Sequence, residues 1–234
     1  MARVVNETGH ALRLNEILDS AQKLIYTKGF EQMAVQDICS DLGISKGAFY
    51  HYFGSKPELL DALIARTQRQ AEELLRPIVD DPSLPALEKL ERIFDSAARW
   101  KSARKAYMLA ILHAWYADEN AVVRQKQAAG GARWLTPILA GIVRQGIDEG
   151  VMDTPYPDQA GMVAVAMMIS LGDTVSAALL SLDPAAGEAA RQECLARMRD
   201  ATAAYTHAVE RVLGLPAGSV CLYDPQMLEE WVMP

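Results

Sequence analysis

Within eight residues the chain places Lys46, Gly47, Tyr50 and His51 where one short helix would turn all four outward. At the helical period these positions share one side, whereas Ile44, Phe49 and Phe53 fall on the other and would close a small core. An ammonium, a phenol and an imidazole side by side can meet phosphate oxygens, thymine methyls and base edges. Exposed aromatic rings are costly as decoration and useful only against a partner. Gly47 is a poor helix former, so its presence suggests close approach of the backbone to another surface. The chemistry this set supports is recognition of a nucleic acid.

Bond-making chemistry has no comparable support. The sequence offers no Ser/His/Asp arrangement, no Glu-x-x-His ligand pair, no phosphate loop and no dinucleotide fingerprint. Its four histidines (His10, His51, His113, His207) are dispersed, and Cys39, Cys194 and Cys221 follow neither metal spacing nor a pairing logic. We therefore expect no enzyme, no cofactor and no metal, with the cysteine usage reading as a reducing cytoplasm. The first residues lack the apolar run of a secretory signal, and the nearly apolar stretch from Gly161 to Gly172 is short of a membrane span. Net charge is −7 over 234 residues. Residues 1–56 are neutral, with Arg3, Arg13, Lys23, Lys28, Lys46 and Lys56 balanced by as many acids, so the remainder carries the whole charge. An acidic body on a neutral head would touch a polyanion only through a small, well-placed surface.

The elements that position the outward set read as helices. Leu14, Ile17, Leu18, Ala21, Leu24 and Ile25 form one apolar stripe, ended by Gly29. A second short helix carries Val35, Ile38, Cys39 and Leu42 inward, with Gly43 just past its end, and Ser45 caps the third helix, Lys46 to about Tyr52. Two short helices joined at Leu42-Gly43-Ile44-Ser45 make a helix-turn-helix, whose second member can enter a major groove. Ser55 and Glu58 fit a capping box for a fourth helix running to about Arg76, before Pro77. Longer helices are expected at 85–102, 104–116, 120–150, 157–182 and 185–213, with Gly130-Gly131 and Pro137 kinking or dividing the third of these. The fold class is all-α: a helix-turn-helix three-helix head over 1–56, a larger helical body over 57–213 and a C-terminal extension over 214–234, about nine helices in all. The extension lacks periodicity, yet Val220-Cys221-Leu222-Tyr223 and Trp231 are apolar enough to dock back on the body.

Residues of about 12–60 resemble the DNA-binding head of TetR-type transcriptional regulators. The resemblance rests on Gly29-Phe30, Asp37-Ile38, the run from Leu42 to Phe53, Ser55-Lys56 and Glu58-Leu59-Leu60. It implies a palindromic double-stranded operator, a small-molecule effector bound by a variable all-α body, and a homodimer built from the last two long helices. By position it places Lys46, Gly47, Ala48, Tyr50 and His51 against bases and backbone, with Ser45 at the turn. Lys56 would grip a phosphate, aided by the positive end of the fourth helix, and Gln36 would contact the DNA backbone. One departure stands out: Met33-Ala34 replaces the Thr or Ser usual before the second helix. A lost cap costs about 0.5–2 kcal/mol and removes one DNA anchor.

The body has no motif of its own. Trp100, Tyr107, Met108, Ile111, His113, Trp115, Tyr116 and Trp134, joined by Met162, Met167 and Met168, are rich in bulky apolar side chains. The resemblance puts the effector pocket among these central helices, where such walls suit a hydrophobic or amphipathic ligand. Each is open to the alternative of plain core packing. Asp173 reads as a buried carboxylate needing a partner, either a structural arginine or a ligand, and His113 as an interior histidine or a ligand contact. Leu195, Met198, Thr202, Tyr205, Val209 and Val212 recur at spacings of three and four, as do Ala164, Val165, Ile169, Val175 and Leu179. These stripes would serve a dimer seam or pack within the subunit.

Overall fold

Helix α1 spans Ala2–Lys28 in the computed structural model, which describes residues 2–183 and 185–233 and, of their side chains, all but those of residues 2–8 and 119. The expected stripe is its inner face: Ile17, Leu18, Ala21 and Ile25 are fully buried. Gly29, at φ 77°, returns its N–H to the Ile25 carbonyl and stops the helix. Helix α2 (Val35–Leu42) buries Ile38 and Cys39 and ends at Gly43, φ 63°. Helix α3 (Lys46–Tyr52) follows after two residues. Helix α4 (Lys56–Val79) continues through Pro77, beyond the end the sequence suggested. At the last turn the missing Pro77 N–H forfeits only one helical bond.

These elements, up to residue 69, form one compact unit with residues 106–127. The latter comprise most of α6 (Lys105–Tyr116), a 3₁₀ turn at Asp118–Asn120 and the start of α7 (Ala121–Asp148). Tyr107, Ile111 and Ala114 of α6 lie in the same core cluster as Phe49, Leu59, Leu60 and Leu63. Arg66 of α4 ties to α1 through the Asp19 carboxylate at 2.6 Å and the Leu18 carbonyl at 3.0 Å, and Lys126 pairs with Asp61 at 2.6 Å. This compact unit thus takes in the expected head over 1–56, the first part of α4 and residues 106–127.

Residues 70–105 and 128–234 form the second unit. Helix α5 (Ala86–Ser102) has Pro85 at its start and no cap of its own; the Glu149 carboxylate accepts from the Ala86 N–H at 2.9 Å instead. Helices α8 (Pro157–Leu180) and α9 (Glu188–Leu213) pack along each other. Gly161 lets α8 close on α7, since a Cβ there would lie 2.6 Å from the Ala140 backbone nitrogen. Gly130-Gly131 and Pro137 do not divide α7, which runs as one helix of 28 residues. Helix α8 reaches 24 residues with a mean hydropathy of 1.8 in its most apolar window, long and apolar enough by those measures to cross a bilayer, which residues 161–172 read alone did not suggest.

Two regions become more definite here. The aperiodic extension contains a further helix, α10 (Pro225–Val232), capped by Asp224 and sealed on α9 by Leu228 and Val232. The α8 and α9 stripes pack inside the subunit: Leu195, Met198, Thr202, Val209, Ala164 and Val165 are buried, and Tyr205, Val212, Ile169, Val175 and Leu179 half-buried. What α8 turns outward is a different set, including Met162, Val163, Ala166, Ser170, Asp173 and Ala177.

Candidate nucleic-acid interface

The orientation of α3 is set by its ends and its core. Ser45 accepts the Ala48 N–H at 3.1 Å, and the Phe53 N–H closes the last turn on the Phe49 carbonyl. Phe49 is fully buried and Phe53 nearly so, with Ile44 packed partly buried beside them. With that side fixed, Lys46, Gly47, Tyr50 and His51 are exposed and Ala48 is half-buried. Tyr50 keeps 51% of its surface in solvent while its ring meets Phe49 edge to face at 5.4 Å. The tyrosine is thus held by its base and presents its hydroxyl end. At Gly47 a Cβ would meet, among the described residues, only the Ser45 Oγ, at 3.8 Å, so none of them requires a glycine there.

His10 was not singled out by the sequence. It belongs to α1, four residues before the apolar stripe begins, and its ring stands 4.7 Å from Tyr52 and 6.2 Å from His51. The outward face of α3 therefore borders a small aromatic group that bridges two helices. No periodicity signals such a residue.

Charge around the turn is largely paired. Lys28 meets Asp37 at 2.8 Å and Lys23 meets Asp41 at 2.7 Å, with Ser20 donating to the same Asp41 carboxylate. The lysine hydrogen bond, followed by the Ala34 N–H, holds the Asp37 carboxyl below the ordinary range; for Asp41 the lysine and then Ser20 do so. Asp37 also answers the missing cap. It accepts the Ala34 N–H at 2.9 Å, although Ala34 has no side-chain acceptor for the opposite bond. Gln36 is exposed and donates to Ser40. Lys56 opens α4 with its ammonium on the Glu31 carbonyl at 2.9 Å and 4.7 Å above the Phe30 ring. To reach a phosphate it must exchange that carbonyl. Glu58 caps the Gly54 N–H, not that of Ser55, so the expected box is displaced by one residue.

With this geometry in place, comparison with known proteins is informative. Residues 17–63 match the model of bacterial regulatory proteins of the tetR family. Those residues are thus a tetR-family regulatory domain. The chain is similar to the transcriptional regulator EthR of Mycolicibacterium smegmatis (27% identity, 53% of this chain and 64% of that protein) and to the probable regulator ArpR of Pseudomonas putida (26%, 65% and 76%). Similarity to the transcriptional repressor KstR2 of Mycobacterium tuberculosis is higher but shorter, 34% over 35% of this chain and 40% of that one. The chain thus spans less than two thirds of the first and third of these relatives. Solved regulators from Haloarcula marismortui (TM-score 0.63, 16% identity, 85% of this chain and 98% of that one) and Cytophaga hutchinsonii (0.62, 18%, 86% and 98%) share the fold.

The residues expected around a ligand do not come together. Tyr107 and Ile111 are buried in the core of the first unit and Met108 packs at its margin. Burial pushes the Tyr107 phenol up. Trp115 lies in that unit too, half-buried, its carbonyl taken by Arg124. His113 is exposed, not interior, and Asp173 is exposed, not buried, because both point away from their helices' packed faces. In the second unit Trp100 stacks with Arg104 at 4.5 Å and Trp134 borders the main core. Of the nine, only Met168 lines the cavity of about 280 Å³ found in that unit, whose walls come from α5, α7, α8 and the segment before α10. Sequence reasoning favoured bulky residues, whereas room is made by small ones, Ala97, Ala98 and Gly172.

Proposed function

We propose that this chain is a homodimeric, sequence-specific DNA-binding transcription factor, a repressor released from a palindromic operator by a small hydrophobic or amphipathic ligand. The observation that carries the reading is the division of α3: Phe49 sealed in the core while Lys46, Gly47, Tyr50 and His51 face solvent together. A helix so presented fits a major groove, with Ser45, Ala48 and Gln36 close to the sugar–phosphate strand and Lys56 on a phosphate. The outward face of α8, with Met162 and Val163 exposed among small residues, supports a helix-on-helix seam between two copies. Two heads would then read half-sites about 34–36 Å apart, or a multiple of that spacing. A ligand that prefers a different body shape must weaken operator binding by the factor by which operator weakens ligand binding.

The test is an electrophoretic shift with DNA flanking the chain's own gene, repeated for Lys46→Ala and Tyr50→Ala. Both side chains are exposed, so the variants should stay folded and dimeric while specific binding is lost. Intact affinity in both would refute the assigned face.

A further inference from the structure

The segment between α9 and α10 has unfilled space on two sides. The 280 Å³ cavity and a second recess of about 240 Å³ share Phe94, Ala98, Leu222 and Tyr223 as walls. Protein interiors are close-packed, so a strand of chain with voids on two faces is only partly held by packing, here through the buried Val220 and Leu222. Its ends are held as well. Upstream, the buried Glu210 carboxylate accepts the Val220 N–H at 3.2 Å. Downstream, α10 is fixed by Leu228 and Val232, by Arg191 on the Val232 carbonyl at 2.7 Å and by Lys105 on the Met233 carbonyl at 2.8 Å. Residues 220–224 form a strap with anchored ends and recesses on both sides of Leu222 and Tyr223.

The cavity behind the strap is walled chiefly by carbon, from Phe94, Leu135, Met168 and their neighbours. Its polar side chains are two, Lys101 and Tyr223, with the ammonium donating to the phenol oxygen at 3.4 Å. That bond leaves the tyrosine O–H and two ammonium protons as donors at one place. No carboxylate among the described residues lines this cavity, whereas the recess on the other side of Tyr223 is lined by Glu91, Asp95 and Asp224. An anionic oxygen is therefore drawn to the inner side and repelled from the outer one. Gly172 is a second pointer. Placed within α8 at a cost in helix propensity, it lines the cavity, and a Cβ built on it meets nothing within 4 Å. Gly161 in the same helix is required for packing; Gly172 only keeps space open.

We infer that this cavity binds a small apolar carboxylic acid, its carboxylate held by Lys101 and the Tyr223 hydroxyl and its hydrocarbon part lying along α8 at Gly172, with the 220–224 strap as the closing wall. The site rests on the reading of the body as ligand-binding and names the class of ligand. A cavity slightly below the usual range of about 300–1,000 Å³ suits a molecule of modest size.

The experiment is calorimetric titration of the full chain, without DNA, with nonanoate and 4-phenylbutyrate and with the alcohols of the same two skeletons. At least one carboxylate should bind about tenfold or more tightly than its alcohol. Lys101→Met should erase that preference, Tyr223→Phe should reduce it, and Gly172→Met should block acid and alcohol alike, each variant having been shown by circular dichroism to remain helical. Equal affinity for acid and alcohol, binding of neither acid, or a preference that survives Lys101→Met would overturn the assignment. Operator affinity measured separately keeps the two readings apart. Carboxylate binding that leaves operator affinity unmoved upholds the site and refutes ligand release. Operator binding without carboxylate binding does the reverse.

Discussion

Gly47→Ala separates what the chain needs for itself from what it needs for DNA. Among the described residues the added methyl would meet only the Ser45 Oγ, at 3.8 Å, an ordinary contact. Position 47 is the second residue of α3, so replacing the worst ordinary helix former with the best should stabilise the head by about 0.5–1 kcal/mol. That is a rise of roughly 1–4 °C in the unfolding midpoint. Against DNA the sign reverses. If the backbone at residue 47 lies in contact with the groove wall, the methyl overpacks the interface, at a cost of about 1–3 kcal/mol. Affinity would then fall about 5- to 150-fold. Thermal unfolding followed by circular dichroism reads the first effect, and fluorescence anisotropy of a labelled duplex from upstream of the gene reads the second. Because no cation is removed, the dependence of affinity on salt should keep its slope, whereas Lys46→Ala should lower it by about 0.9 if that lysine neutralises one phosphate. A more stable variant with unchanged affinity would show that DNA does not approach this backbone. A less stable one would show that the methyl collides within the protein.

Two further outcomes concern stability. Gly161→Ala places a methyl 2.6 Å from the Ala140 backbone nitrogen, which cannot yield as a side-chain tip can, so the body should lose about 1–3 kcal/mol or more, read from its denaturant midpoint, and a variant as stable as the parent would contradict the close α7–α8 approach. Acid should loosen the head: Asp37 and Asp41 titrate below their ordinary value of 3.8 when folded, chiefly through Lys28 and Lys23. Their contribution is present above that value and is lost as pH falls through the lower folded values. Circular dichroism below about pH 4 should therefore show Asp37→Asn, weaker at neutral pH, losing less on acidification than the parent.

Local physics made the head legible. Gly29 and Gly43 stop helices with left-handed backbone, Ser45 supplies a cap to its own neighbour three residues on, and α3 is short enough that burying Phe49 decides which way Tyr50 points. The body was legible in element lengths and not in faces. Helix α8 is apolar on more than one side, so periodicity alone could not say that Ala164 and Val165 turn inward while Met162 and Val163 turn out. Asp173 looked buried because its neighbours are apolar, yet it is exposed on α8. Helix α10 spans two turns, too few for a period to register, and its anchors come from Lys105, Arg191 and Arg199, far away in sequence. The cap on α5 arrives from Glu149, 63 residues on. What escaped the sequence is what long-range contacts decide.

The shared helices bear on how ligand and operator could be linked. Helices α4, α6 and α7 each belong to both compact units, dividing at residues 69/70, 105/106 and 127/128. Each of the three is a single helix across that division. Of the three, α6 is the shortest, at 12 residues. Its first residue, Lys105, holds the end of α10, while Tyr107, Ile111 and Ala114 are buried in the core that orients α3. Close-packed cores shift between discrete arrangements more readily than they deform by degrees. Filling the cavity behind the strap would press on Leu222 and Tyr223, and through α10 on the carbonyls that Lys105 holds. The helix that would carry such a signal is the one whose side chains the sequence reading had placed around the ligand. Tyr107 and Ile111 belong to the transmission in this view, not to the pocket.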